Sequence, residues 1–201
     1  MNRRSATFLF AAAVFAPSFA WAAETDPTQF VADFAQKGIV DILAAKVPQA
    51  ERTQRFRTMF KEYFDLPAIG KFVLGRYSRN VTPEDQSKFD SLFEDVVVYT
   101  WARRFGEYNG QSLKVSSSTP DGGDGAIVKS SVVDKGGDNI AVDFRLRKRA
   151  EGYKAVDVII AGVSMAITYR QEYTTVLAQG FPALVVQLQK QVDDLKKQQP
   201  T

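Results

Sequence analysis

Neither histidine nor cysteine occurs anywhere in the 201 residues. Without them, zinc and haem lose their usual ligands, and a cysteine nucleophile is excluded. A Ser-His-Asp triad is impossible for the same reason. The missing cysteines also remove disulfides, so the fold must hold by packing alone, and the absence suits an oxidising compartment where stray thiols would mispair. Long apolar runs are scarce as well: beyond the amino terminus no segment carries about 20 uninterrupted apolar residues, so no later helix is predicted to cross a bilayer. What survives is carboxylate chemistry, lysine-assisted nucleophiles and non-catalytic binding.

An excess of one charge is also lacking. The chain holds 26 basic and 23 acidic residues, for a net charge of +3. Two of the basic residues, Arg3 and Arg4, form the positive start of an expected signal peptide, whose apolar stretch runs from Ala6 to Pro17. Ala20-Trp21-Ala22 supplies the small-x-small pattern of a cleavage site, so residues 1–22 are expected to be removed after Ala22. No cysteine follows it to carry a lipoprotein anchor. The mature chain then has 24 basic against 23 acidic residues, which is no footprint for nucleic acid. Taking 22 from 201 leaves 179 residues, the size of one domain that buries roughly 70% of its unfolded surface. The predicted layout is a signal at 1–22, one domain over 23–195 and a polar tail at 196–201.

Helical periodicity comes first. Asp26-Pro27 reads as a cap followed by proline at the first position, and Phe30, Phe34, Ile39, Ile42 and Leu43 follow at near-helical spacing. Pro48 to Tyr63 predicts a second helix, and Leu66 to Leu74 a short third one ended by Gly75. Thr82-Pro83-Glu84-Asp85 is the strongest helix start, with acids facing the positive end of the macrodipole. The helix it opens is expected to reach about Tyr108, and its middle, Val96 to Trp101, is apolar nearly all round.

From Gln111 the period falls to two. Leu113, Val115 and Ser117 alternate with polar neighbours, a turn follows at Pro120 to Gly125, and Ala126 to Val133 makes a second strand. Ile140, Val142, Phe144 and Leu146 define a third strand, with Arg145, Lys148 and its other charges on a wet face. Tyr153 to Ile160 is the fourth. Three tight connections predict an antiparallel meander. After Gly162-Val163-Ser164 the helical period returns, carrying Met165, Tyr169, Tyr173, Val176 and Leu177, and a terminal helix starts at Pro182. The fold class is therefore α+β: one domain in which a four-stranded antiparallel sheet packs against several helices.

Several short motifs then line up in order. They are Tyr63-Phe64-Asp65-Leu66, Ile69-Gly70-Lys71-Phe72-Val73-Leu74-Gly75-Arg76-Tyr77, and Thr82-Pro83-Glu84-Asp85 leading to Phe89. Tyr108-Asn109-Gly110-Gln111, Gly152 to Val158, and Gly162-Val163-Ser164 with Tyr169-Arg170 complete the series. Together these resemble the MlaC, or toluene-tolerance, family of periplasmic phospholipid-binding proteins, with Tyr153 standing where the family usually has tryptophan. The resemblance implies a periplasmic monomer without cofactor, whose acyl-tail cavity lies between the helices and the sheet. It implies shuttling of a diacyl phospholipid between an outer-membrane lipoprotein complex and an inner-membrane ABC transporter with an MCE-domain ring, which maintains outer-membrane lipid asymmetry. One branch of the family accompanies hopanoid biosynthesis, so a hopanoid or other apolar lipid is the alternative cargo.

On that resemblance the expected cavity residues are Phe72, Val73, Val96, Tyr99, Trp101, Phe105, Val128, Val142, Phe144, Val158, Ile160, Tyr169 and Tyr173. Arg76, Arg104 and Arg170 are the expected head-group contacts, because guanidinium binds phosphate bidentately. Taken singly, each of these apolar residues reads better as ordinary core, and each arginine equally well as a salt bridge or a solvated surface charge. Gly162 to Ala166 sits where a hydrolase nucleophile elbow would, but its last glycine is Ala166 and no histidine exists to act as base. Ser164 is therefore read as a helix cap, Asp65 likewise, and Asp157 as a backbone or arginine partner rather than half of an acid/base pair. A carboxylate-dependent enzyme on a cone-shaped fold of the nuclear-transport-factor type remains the rival reading.

Overall fold

In a computed structural model of the chain, residues 26–38, 42, 47–106, 110–133, 136–137 and 139–198 are described. The expected signal peptide, Ile39, Leu43, the helix end at Tyr108 and the last three residues lie outside them, as does the side chain of Phe105. The helices are α1 (Pro27–Lys37), α2 (Gln49–Tyr63), α3 (Leu66–Leu74), α4 (Pro83–Gly106), α5 (Met165–Leu177) and α6 (Phe181–Lys197), with a 3-10 turn over Gly75–Arg79. The strands are β1 (Ser112–Pro120), β2 (Gly125–Val133), β3 (Asn139–Arg149), β4 (Gly152–Ile160) and β5 (Val163–Ser164).

Polar caps start most of the helices. Asp26 accepts from the Thr28 amide at 2.6 Å, Asp65 from Ala68 at 3.0 Å, Thr82 from Asp85 at 3.1 Å, and Ser164 from Ile167 at 3.1 Å. Each satisfies an amide that the first helical turn leaves without a partner. α2 instead follows Pro48, and α6 follows Gly180 with Pro182 in its first turn; neither has a side-chain cap.

The sheet is an antiparallel meander in the order β1-β2-β3-β4-β5. It has five strands, which corrects the four expected. β5 is two residues long, too short to show a period of two. It exists because Ala161 and Gly162, at φ 48° and 82°, reverse the chain so that Val163 pairs with Ile160 and Ser164 with Ile159. The same edge of β4 is covered further along, where Phe64 bridges Ala155 and the Asp65 amide donates to the Ala155 carbonyl at 3.0 Å. Two bulges interrupt the ladder, between Val115 and Ser117 in β1 and opposite Arg145 and Leu146 in β3.

α4 packs along α6 and α3 along α5. In this helical half the space is filled: Phe89, Val98, Tyr173, Leu184 and Leu188 are all fully buried. Phe93 meets the rings of Tyr169 and Tyr173 edge-on at 5.6 and 6.3 Å. On the other side of α4, between it and the inner face of the sheet, the space is not filled.

Candidate functional site

The unfilled space is a cavity of about 500 Å³, within the range of roughly 300–1,000 Å³ usual for small-ligand sites. α1 supplies Phe34, Ala35 and Gly38; α2 supplies Met59 and Phe60, followed by Phe64, Leu66 and Ile69. α4 presents Phe93, Val97, Trp101 and Arg104, spaced at four, four and three residues and so on one helical face. The floor is Leu113, Val132, Ile140, Val142, Phe144, Val156, Val158 and Ile160 of the sheet, and α5 closes the wall with Met165, Ala166 and Tyr169. Rings order one end: Phe60 and Phe64 stack at 3.9 Å, and Phe34 meets Phe64 and Phe144 at 5.7 and 5.6 Å.

Among the described residues Asp157 is the one carboxylate in this lining, and both its oxygens are engaged. Oδ1 accepts from the Ala166 amide at 3.0 Å, and Oδ2 accepts from the Ser164 hydroxyl at 2.6 Å with the Arg145 guanidinium 3.7 Å away. Ser164 in turn accepts from the Ile167 amide, so the supposed nucleophile and the supposed acid together form the cap of α5. The bulge opposite Arg145 places Asp157 there. Arg145 itself is half-buried between Asp121 and Asp157, not part of a freely solvated face. Burial pushes the Tyr169 hydroxyl above its usual pKa, with Glu172 adding to the effect, and burial does the same at Tyr173. Both phenols stay neutral. No group of three or more potential metal-binding side chains occurs among the described residues.

Of the residues expected from sequence, the structure brings Trp101, Val142, Phe144, Val158, Ile160, Tyr169 and Arg104 together around this cavity. Val73, Val96, Val128 and Tyr173 lie in the filled core instead. Tyr99, two residues from both Val97 and Trp101, points away from the cavity and stands between Arg57 and Lys196, at 5.8 and 5.5 Å. Phe72 is 42% exposed and lies beneath the Arg170 guanidinium, 4.9 Å from its ring centre. Arg76 stacks on Tyr77 at 5.0 Å. Neither Arg76 nor Arg170 lines the cavity. Sequence reasoning missed the contributions of α1 and α2 altogether. Phe34 was visible as an apolar helix position, but nothing in periodicity separates a cavity wall from a core.

The sequence model of the MlaC protein family matches residues 33–190, a span that contains every residue of the cavity lining. The chain belongs to the MlaC family. A relative in that family, the intermembrane phospholipid transport system binding protein MlaC of Haemophilus influenzae, is 25% identical over 177 residues, covering 84% of this chain and 83% of its own length. The toluene tolerance protein ttg2D of Pseudomonas putida is 26% identical over 110 residues, covering 54% of this chain and 51% of its own. A phospholipid-binding protein from Ralstonia solanacearum, solved in complex with a phospholipid, superposes with a TM-score of 0.77 at 20% identity, covering 86% of this chain and 99% of that one. The fold is thus the MlaC fold, with α4 and the inner sheet face as the two long walls of its cavity.

Proposed function

We propose that this chain is a periplasmic carrier that holds the acyl tails of a phospholipid between α4 and the sheet and passes the lipid between membrane complexes. The observation that carries the reading is the cavity: open space inside the fold, walled almost throughout by aliphatic and aromatic side chains. Such a wall matches the hydrocarbon a tail leaves behind in a bilayer, so transfer needs no catalytic group and no large change in free energy. Asp157, the one carboxylate in the lining among the described residues, is engaged by α5, which supports a structural role for it over a catalytic one. The names of the Haemophilus and Ralstonia proteins, a phospholipid transport binding protein and a phospholipid-binding protein, support the same cargo. Arg104, at the edge of the lining and 5.2 Å from the Trp101 ring centre, is the head-group contact in this reading. An outer-membrane lipoprotein complex and an inner-membrane MCE-domain transporter are the donor and acceptor it implies, and the expected signal peptide supplies the export route.

Native mass spectrometry of the purified exported protein, followed by solvent extraction, tests this. A bound diacyl phospholipid is expected. Lipid-free protein that takes up no labelled phospholipid would overturn the reading, and extraction of a hopanoid would replace the cargo.

A further inference from the structure

Four large apolar side chains stand in solvent near α5: Phe72, Ile140, Val163 and Ile167, at 42, 51, 54 and 44% exposure. Three of them surround one end of the cavity. Ile140 belongs to the lining itself and pairs with Val132, another lining residue. Val163 pairs with Ile160, and Ile167 follows Ala166, both of which line it. Arg104 and Ser112, the other exposed members of the lining, sit at the last turns of α4 and the start of β1. The mouth therefore lies where the end of β2, the start of β3, the β4–β5 turn, the last described turn of α4 and the start of α5 meet, and among the described residues aliphatic side chains stand on its rim beside Arg104 and Ser112. Exposed apolar surface continuous with an apolar interior marks a contact site rather than scattered surface residues.

The flanks of this rim are cationic. Ile167 and Arg170 are three residues apart on α5 and so share a face, with Val163 in β5 just before the helix. Arg170 is held in place: its guanidinium lies over the Phe72 ring, and a Cβ at Gly75 would come within 2.9 Å of its Nη2. Arg104 is likewise spread over Trp101. Neither arginine has a carboxylate partner among the described residues. Aliphatic residues beside arginines laid on aromatic rings match the two chemistries of a lipid surface, hydrocarbon beneath a layer of phosphate.

We propose that this collar docks on the surface of a bilayer containing anionic phospholipid, with Ile140, Val163 and Ile167 entering the boundary below the head groups and Arg104 and Arg170 at phosphate level. The proposal rests on the lipid-carrier reading and adds that the mouth is held against the bilayer in which a donor or acceptor complex sits, while loading itself stays with that complex. A protein partner at the same face would need carboxylates or a shaped groove to pair with the two arginines. A bilayer needs neither.

The test is flotation of the purified exported protein with phosphatidylcholine vesicles, with and without phosphatidylglycerol. Binding should appear with phosphatidylglycerol, fall several-fold without it, and fall again as salt is raised. The double variant Val163→Glu, Ile167→Glu alters exposed side chains outside the lining, so it should keep its circular dichroism and its co-purified lipid yet lose vesicle binding by ten-fold or more. Arg170→Gln should weaken binding only to the anionic vesicles. Wild-type protein that carries lipid but floats with neither vesicle would overturn the docking proposal and leave the carrier reading standing. Docking through this collar is equally overturned if the double variant floats as well as wild type; if it does so while losing function in cells, the face belongs to a protein partner. Protein without lipid that still floats would instead count against the carrier reading.

Discussion

At the scale of single residues, Asp157 does the most. It is 5% exposed, reaches from the β4 bulge to the first turn of α5, and meets two donors there with its two oxygens. A buried carboxylate is tolerable only when its lone pairs are used, and removing it leaves Ala166, Ser164 and Arg145 short of a partner together. Asp157→Ala is therefore expected to destabilise the fold by about 2–4 kcal/mol, since two donors lose a hydrogen bond to a charged acceptor at once. Ser164→Ala removes the cap and one of the two donors to Asp157 but leaves the Ala166 amide on the carboxylate, and is expected to cost less, about 1–2 kcal/mol. Urea denaturation at constant slope checks both, and equal losses for the two variants would contradict the clasp. Because an intact α5 is one wall of the cavity, the same variants should lose lipid in the order of their lost stability.

Among the elements, α3 shows how much a short helix depends on its two ends. Asp65 caps its start and also binds the Arg149 guanidinium of β3 at 2.7 Å, tying helix to sheet. Gly75 ends it at φ 55°, in a region an L side chain rarely adopts, with Arg170 packed where a Cβ would sit. Gly75→Ala thus meets two penalties, a strained backbone and a displaced guanidinium, and is expected to cost about 1–3 kcal/mol. A double-mutant cycle with Arg170→Ala separates them, since only the steric part is relieved. A thermal melt of the four proteins reads it out, and strict additivity would mean that Arg170 yields freely. Both ends were legible in the sequence, as were the other capped starts, because caps and turn glycines act through neighbours in the chain. β5 was not, because two residues carry no period and its pairing depends on the reversal at Ala161. Nor was the strand-like contact of Phe64 with Ala155, which joins residues 91 positions apart in the numbering.

For the whole molecule the question is what separates an empty cavity from a filled core, and here the sequence was nearly silent. Val97 and Val96 look alike in the chain, but one faces the cavity and the other the filled side of α4, a difference set by which neighbours fall short of contact. That shortfall has an energetic consequence. A buried methylene is worth ~0.8 kcal/mol and empty volume costs about 24 cal/mol per Å³, which equates one methylene with roughly 30 Å³. The 500 Å³ cavity then matches roughly 15 methylenes, about one acyl tail, by the same arithmetic. A tail that enters it replaces void with contact. Lipid bound at 100 times its dissociation constant would add ~2.7 kcal/mol, or about 5–10 °C in melting temperature for a chain of this size. Stripping lipid by solvent and reloading it should move the melt down and back by that amount. Val142→Phe, which fills part of the floor from a half-buried position, should raise the melting temperature of the stripped protein while abolishing the increment from lipid. If the variant instead keeps the full increment, the tails do not occupy the space between α4 and β3, and the cavity assignment fails with it.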